Sequence, residues 1–186
     1  MNTLATEMTP DLIRSGSSMA RVAEAAQKAG LTIRIIKMAQ STRTAGEAAE
    51  AAGCETAQIV KSLVFENSAD KTLNLVLVSG AHDADMDHIS AKYGLQLDRC
   101  EARRVRDETG FAIGGVAPIG HLNPIKVYMD RALMQHGAVL AAAGRPDSVF
   151  SVEPEALAKA IDAEIIEVRA TDCPGERFPG LSSLHS

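Results

Sequence analysis

Two apolar segments split by a short polar one constrain this chain more than any other feature. Ile59 to Phe65 and Leu73 to Val78 are hydrophobic on both faces of an extended strand, while Asn67 to Lys71 between them is polar. A strand buried on both faces belongs in the middle of a covered sheet. So short a connection predicts a hairpin, and hence antiparallel pairing at the centre of the molecule.

The segments around the hairpin alternate between helix and strand signals. Ser17 or Ser18 caps a predicted helix running to about Ala29, which Gly30 stops, and the Ile-rich Leu31 to Met38 reads as a strand. Thr44-Ala45-Gly46-Glu47 matches the capping box, opening a helix that Gly53 ends. Beyond the hairpin, Asp83 to Tyr93 reads as a helix with acidic residues in its first turn and Gly94 as its stop. A strand near Leu95 to Arg99 and a helix from Glu101 to Glu108 follow. Ile125 to Met129, Ala138 to Ala142, Val149 to Val152 and Glu164 to Val168 read as short strands, with a helix opened by Pro154 and running to Ile161. Hairpins mixed with helical crossovers favour an α+β fold with a mixed sheet over a doubly wound parallel one.

A length of 186 residues fits one domain, placed at residues 18–170. Residues 1–17 are polar and read as flexible, and the Pro-, Gly- and Ser-rich stretch from Thr171 to Ser186 as a disordered tail. Hydrophobic residues make up 46% but aromatic ones only 3%, so the core is aliphatic and an aromatic base-stacking platform is disfavoured. Nineteen basic against 24 acidic residues leave a net charge of −5, so a nucleic-acid partner requires a local basic patch. Arg99, Arg103, Arg104 and Arg106 are the obvious candidates, although Glu101, Asp107 and Glu108 interleave them as on a solvated helix face. Cys54, Cys100 and Cys173 are scattered, without CxxC spacing, and read as reduced thiols. With no secretory signal at its start and no membrane-length apolar run, the chain is expected to be soluble and cytoplasmic.

Common catalytic signatures are missing: no GxSxG, HExxH, GxxxxGK or GxGxxG occurs. The run His82 to His88 imitates a metal site, but a calcium loop counted from Asp83 would need Gly at His88 and Glu at Gly94. Asp85 and His88, one turn apart, do not close a zinc shell. The run reads as a polar loop at a helix start, with no metal and no cofactor expected.

Two features carry chemistry. Lys61 shares one strand face with Ile59, Leu63 and Phe65, while Val60, Ser62 and Val64 share the other. A lysine in so apolar a strand is either placed for a ligand or snorkels to solvent past its neighbours. The second is the glycine-rich run from Thr109 to His121, with Gly114, Gly115, Pro118 and Gly120, which can bring backbone amides close to a polarised carbonyl oxygen.

Together with Ser41-Thr42-Arg43-Thr44-Ala45, Val78-Ser79-Gly80, Asp130-Arg131-Ala132-Leu133 and Ala142-Ala143-Gly144, these segments fall in the order of the YbaK/ProX-type aminoacyl-tRNA deacylases. The chain resembles that family, and the related editing insertion of bacterial prolyl-tRNA synthetases, from about Ala20 to Val168. The resemblance implies a largely antiparallel, partly barrel-like sheet flanked by helices. It also implies hydrolysis of the ester joining a wrong amino acid, often alanine or cysteine, to tRNA-Pro. By resemblance, Lys61, Gly114 and Gly115 are the expected catalytic residues, and Pro118, Val116, Ser79, Gly144 and His121 the expected substrate-binding ones. The implied partner is mischarged tRNA, with prolyl-tRNA synthetase or an elongation factor as candidate helpers.

Departures from the family pattern are Ala81 and His82, where many relatives carry an acidic or amide residue, and His121, which the family does not always keep. Asp130 and Arg131 read as an internal ion pair. Such a site would act by positioning an already activated ester and stabilising the oxyanion, with the neighbouring ribose hydroxyl helping to orient water. Two alternatives stand beside this reading: a hydrolase of a small ester or amide, and a non-catalytic adaptor that binds tRNA or a synthetase.

Overall fold

The chain order of elements follows the sequence signals closely. Before the hairpin come β1 (Ala5–Met8), α1 (Ser18–Lys28), β2 (Arg34–Met38) and α2 (Ala45–Ala52). The hairpin is β3 (Ile59–Asn67) and β4 (Leu73–Ser79). After it come α3 (Met86–Tyr93), β5 (Leu97–Arg99), α4 (Ala102–Thr109) and β6 (Lys126–Asp130). The chain continues as β7 (Val139–Arg145), β8 (Ser148–Val152), α5 (Pro154–Ala160) and β9 (Glu164–Ile166). This computed structural model describes residues 5–9, 13–39 and 42–170.

Local chemistry explains the boundaries. Ser17 caps α1 by accepting a hydrogen bond from Ala20 N–H at 3.2 Å. The Thr44 hydroxyl accepts from Glu47 N–H at 3.1 Å while the Glu47 carboxylate accepts from Thr44 N–H at 3.4 Å, closing the expected capping box, and from Arg43 N–H at 2.7 Å. Asp85 caps α3 by accepting from His88 N–H at 2.9 Å. That helix therefore starts at Met86, three residues later than the sequence suggests, because the earlier acidic residues are drawn into a loop and a cap.

The hairpin pairs antiparallel from Val60 opposite Ser79 to Glu66 opposite Leu73. All of β4 is buried, and Leu75, Val76, Leu77 and Val78 expose no surface. Burying each such side chain is worth ~1.5–3 kcal/mol. Around this centre the nine-stranded sheet runs β1-β2-β8-β7-β3-β4-β6-β9, with β5 added beside β3. Pairings β3–β7, β4–β6 and β6–β9 are parallel and the rest antiparallel, so the sheet is mixed as expected. Its path is open: among the described residues, β1 and β9 do not pair with each other.

Helices cover both faces. Met19 and Val22 of α1, Val105 of α4 and Leu157 of α5 pack with Val60, Leu75 and Leu77. Ile89 of α3 packs on the opposite face with Val76, Val78 and Tyr128. Ala48 and Ala49 of α2 join Met38, Ile59, Leu140 and Val149 in a smaller aliphatic cluster.

One segment differs from the sequence reading. Within residues 1–17, read as flexible, Ala5–Met8 pairs with β2 from Ala5 opposite Met38 to Met8 opposite Ile35. Arg34 grips Glu7 through both carboxylate oxygens, at 3.2 and 2.7 Å. The strand has no apolar alternation to announce it, because its ladder is supplied by a partner edge. The tail expected at 171–186, with Cys173, lies outside the described residues.

Candidate active site

A cavity arises where β3 changes neighbours. On one edge β3 pairs with β4 from Val60 to Glu66. On the other it meets β7 only at Ile59 and Val60, and β5 only from Phe65 to Asn67. Lys61, Ser62, Leu63 and Val64 lie between. There β7 turns away, with a register shift between Ala142 and Arg145. The parted strands leave a cavity of about 590 Å³, bordered also by the α2 N-terminus and the glycine-loop tip.

Lys61 lines this cavity. Its ammonium donates to the His82 carbonyl and to Asp83 Oδ1 at 3.2 Å. An ammonium has three N–H donors, so one is left for a ligand. The Lys61 side chain is 26% exposed, whereas that of Asp83 is fully exposed. The lysine stem thus lies along the cavity wall while its amine is tied to the loop at His82 and Asp83. His82 is itself fixed through Nδ1 to Asp130 Oδ2 at 2.9 Å, and buried Asp130 also accepts from Ser79 N–H and Ala132 N–H. The Asp130–Arg131 ion pair expected from sequence does not form; Arg131 approaches Glu167 instead, at 3.8 Å. Asp130 turns inward as the cap of the turn at Arg131–Gln135, which separates neighbours in sequence.

The glycine loop reaches the opposite wall with its tip. Ile113, Gly114 and Val116 line the cavity. Gly115 sits behind them, where a Cβ would lie 2.9 Å from Arg145 Cα, so this position admits only hydrogen. The neck of the loop is held by Arg21 of α1, which donates from Nε to Gly120 O at 2.8 Å and from Nη2 to Gly110 O at 2.7 Å. Buried Phe111 packs edge-on against His121, 5.8 Å between ring centres, and His121 Nε2 donates to Ala117 O at 2.8 Å. Burial, reinforced by nearby Arg21, holds His121 below the usual histidine range against the opposing pull of the Ala117 carbonyl.

Lys61, Gly114 and Val116 therefore meet at one cavity, with Gly115 packed directly behind. The other expected site residues stand apart from it. Ser79 is buried and donates its hydroxyl to Ala57 O at 2.8 Å. Gly144 (φ 91°) packs on Ser18, whose backbone carbon would lie 2.9 Å from an added Cβ. Pro118 and His121 border a second cavity, of about 390 Å³, next to α5. Sequence reasoning missed Arg43, Ser62, Ala142 and Arg145 as lining residues. Arg43 and Ala142 lie in quoted motifs, Ser62 follows the key lysine and Arg145 follows Gly144, so adjacency was the available signal for all four.

Two of the four arginines in the basic cluster singled out from sequence are engaged by neighbours. Arg104 is engaged by Glu66, by Glu108 at 2.7 Å and by the Lys71 carbonyl, and Arg103 faces Asp107 at 3.6 Å. The cations at the cavity are others: Lys61, Arg43 and Arg145 are its ionisable lining, and no Asp, Glu, His or Cys is among the lining residues. Among the described residues no group of three or more metal-ligating side chains occurs, and no helix is long and apolar enough to cross a membrane. Cys54 and Cys100 are unpaired thiols, each pushed up by burial.

A mixed sheet that parts beside Lys61, leaving a cavity walled also by Arg43, Arg145 and the glycine-loop tip, defines an α+β domain with a cationic cleft. The aminoacyl-tRNA editing domain family matches residues 39–160, and the chain belongs to that family. It is similar to YwhH of Bacillus subtilis strain 168, 31% identical over 121 residues that cover 64% of this chain and 75% of YwhH. It is 24% identical over 127 residues to EbsC of Enterococcus faecalis, named "Putative Cys-tRNA(Pro)/Cys-tRNA(Cys) deacylase", covering 67% of this chain and 76% of EbsC. Among solved structures, one described as "a putative trans-editing enzyme for prolyl tRNA synthetase" superposes with a TM-score of 0.75. That protein is 36% identical, and the match covers 88% of this chain and 99% of the other.

Proposed function

We propose that this chain is a trans-editing hydrolase that removes a small amino acid, such as alanine or cysteine, from mischarged tRNA-Pro. The observation that carries this reading is the shared wall: Lys61 and the loop residues Gly114 and Val116 border one cavity whose ionisable lining is wholly cationic. In a chain of net charge −5, such a lining favours an anionic ligand, and the 3′ end of a tRNA brings phosphate to the rim.

In the proposed reaction, water oriented by the adjacent ribose hydroxyl adds to the ester carbonyl carbon and loses a proton to solvent. The free N–H of Lys61 and amides of the loop tip stabilise the oxyanion. The bond to the ribose oxygen then breaks, that oxygen takes up a proton, and the amino acid leaves as its carboxylate. Size selection falls to the aliphatic floor formed by Met38, Ala48, Ile59, Leu140 and Val149. One methylene in such a pocket is worth roughly 1–3 kcal/mol, so small side chains are separated only modestly. The wall carries no side chain suited to hold a metal, and the proposed route uses none.

The test is a deacylation panel with tRNA-Pro carrying alanine, cysteine, serine or proline, run with and without chelator, beside a small alanyl ester. Chelator-insensitive turnover of alanyl- or cysteinyl-tRNA-Pro well above prolyl-tRNA-Pro is expected. Turnover of the small ester alone would replace this reading with that of a small-ester hydrolase. Saturable tRNA binding without turnover would make the protein an adaptor.

A further inference from the structure

An aminoacyl ester presents an α-amine next to the bond that breaks, and this cavity is poorly matched to that amine in its charged form. Lys61, Arg43 and Arg145 are the ionisable side chains in its wall. The nearby carboxylates are committed elsewhere. Asp83 is solvent-exposed on Lys61, Asp147 binds Arg145 Nε at 2.9 Å, and Glu47 caps the main chain at Arg43. His82, beyond Lys61, is held by Asp130. A protonated amine would meet cations with no carboxylate facing it.

The open edge of β3 offers a different partner. Ile59 O accepts from Gly80 N–H at 2.7 Å, so the main-chain groups of the odd-numbered residues of β3 point toward β4. Those of the even-numbered residues point the other way, as Ser68 N–H does in donating to Gln96 O at 2.8 Å beside β5. Ser62 lies in the stretch that neither β7 nor β5 pairs, and it lines the cavity. Its N–H and C=O therefore face the gap as one donor and one acceptor. Its hydroxyl, too, has no partner among the described residues. A neutral amine, with a lone pair and two N–H bonds, complements such a pair; an ammonium, with donors only, cannot use the Ser62 N–H.

We propose that the cavity takes the aminoacyl ester with its α-amine unprotonated, bound by the main-chain N–H and C=O of Ser62 at the open edge of β3. This rests on the deacylase reading above. The protein selects the uncharged form by withholding any anion, so a substrate with a hydroxyl in place of the amine is also accepted.

The experiment compares alanyl-tRNA-Pro with lactyl-tRNA-Pro, in which a hydroxyl replaces the amine, from pH 6 to pH 9 with the full chain. Lactyl ester hydrolysis reports every pH effect except titration of the amine. The ratio of kcat/KM, alanyl over lactyl, is expected to climb about tenfold for each pH unit below the amine's pKa and to level above it. Gly46 lines the cavity, and a Cβ there meets only Thr44 Oγ1 within 4 Å, at 3.9 Å. Gly46→Asp should therefore fold, supply the missing anion, and raise the ratio at pH 6. A ratio that is flat or falls with pH, or lactyl-tRNA-Pro left intact while alanyl-tRNA-Pro is cleaved, overturns this inference and leaves the deacylase reading standing. Failure to cleave either tRNA ester removes both.

Discussion

The guanidinium carbon of Arg21 lies 4.5 Å from the centroid of the Phe111 ring. From that position the same group donates to the carbonyls of Gly110 and Gly120, gathering both ends of the glycine loop onto α1. A stacked cation and two divergent hydrogen bonds require a planar fork, which lysine lacks. The loop tip that walls the cavity is thus aimed from a helix that does not share the loop's sequence neighbourhood.

Arg21→Lys keeps the charge and loses the fork. It is expected to lower stability by roughly 1–3 kcal/mol and to speed amide hydrogen exchange at residues 112–116 before exchange in β4 changes. Deacylation should fall about tenfold or more, mainly in kcat, since a misplaced wall spoils the geometry of the reacting ester. Equal loss of protection throughout the chain would reduce Arg21 to a general stabiliser.

Lys61→Ala is expected to lower deacylation of mischarged tRNA-Pro at least about tenfold, toward the roughly 10²- to 10³-fold that losing one oxyanion donor usually costs. Its circular dichroism spectrum should be unchanged, because Lys61 projects from β3 toward a loop carbonyl and an exposed carboxylate, not into the core. Near-normal turnover by this variant would remove the lysine from the mechanism.

His121 provides a pH signature in stability. Its folded pKa lies below the unfolded value of about 6.5, so below that pH the unfolded chain binds the extra proton first. Its contribution is present in full above about pH 6.5 and is lost as pH falls from there toward the lowered folded value. Thermal melts of the wild type and His121→Asn should converge as pH drops from 7.5 to 5. Parallel melting curves across that range would mean that His121 does not titrate with unfolding.

Arg104→Ala separates the helix face from the site. Its loss leaves Glu66 and Glu108 without their guanidinium, and only the small stability cost of a solvent-screened ion pair is expected. Deacylation should remain near the wild-type rate, because Arg104 is occupied away from the cavity. A large fall in KM-dependent turnover at unchanged stability would return α4 to the tRNA-binding surface.

Local rules made much of the fold legible. The capping box at Thr44 and Glu47, the cap at Ser17 and the stops at Gly53 and Gly94 form as their sequences require. Doubly apolar β4 is buried throughout at the sheet centre, whereas β3, equally apolar in sequence, is only half-buried from Lys61 onward because its far edge opens on the cavity. β1 was hidden because its stability comes from a ladder with β2 and from Arg34, none of it encoded as periodicity within residues 5–8. Asp130 was misread because a carboxylate beside an arginine in sequence can turn toward a histidine 48 residues away.

By itself the sequence determined the hairpin core, the helix ends and a lysine placed in an apolar strand, since each depends on residues within a few positions of one another. Only the tertiary structure decided where β3 parts from β7, which cations line the resulting cleft and which residue holds the loop that closes it. Those features arise from strands and side chains brought together across long stretches of chain. No local pattern encodes them, because the hydrogen bonds and close contacts that fix them exist only after the sheet has assembled.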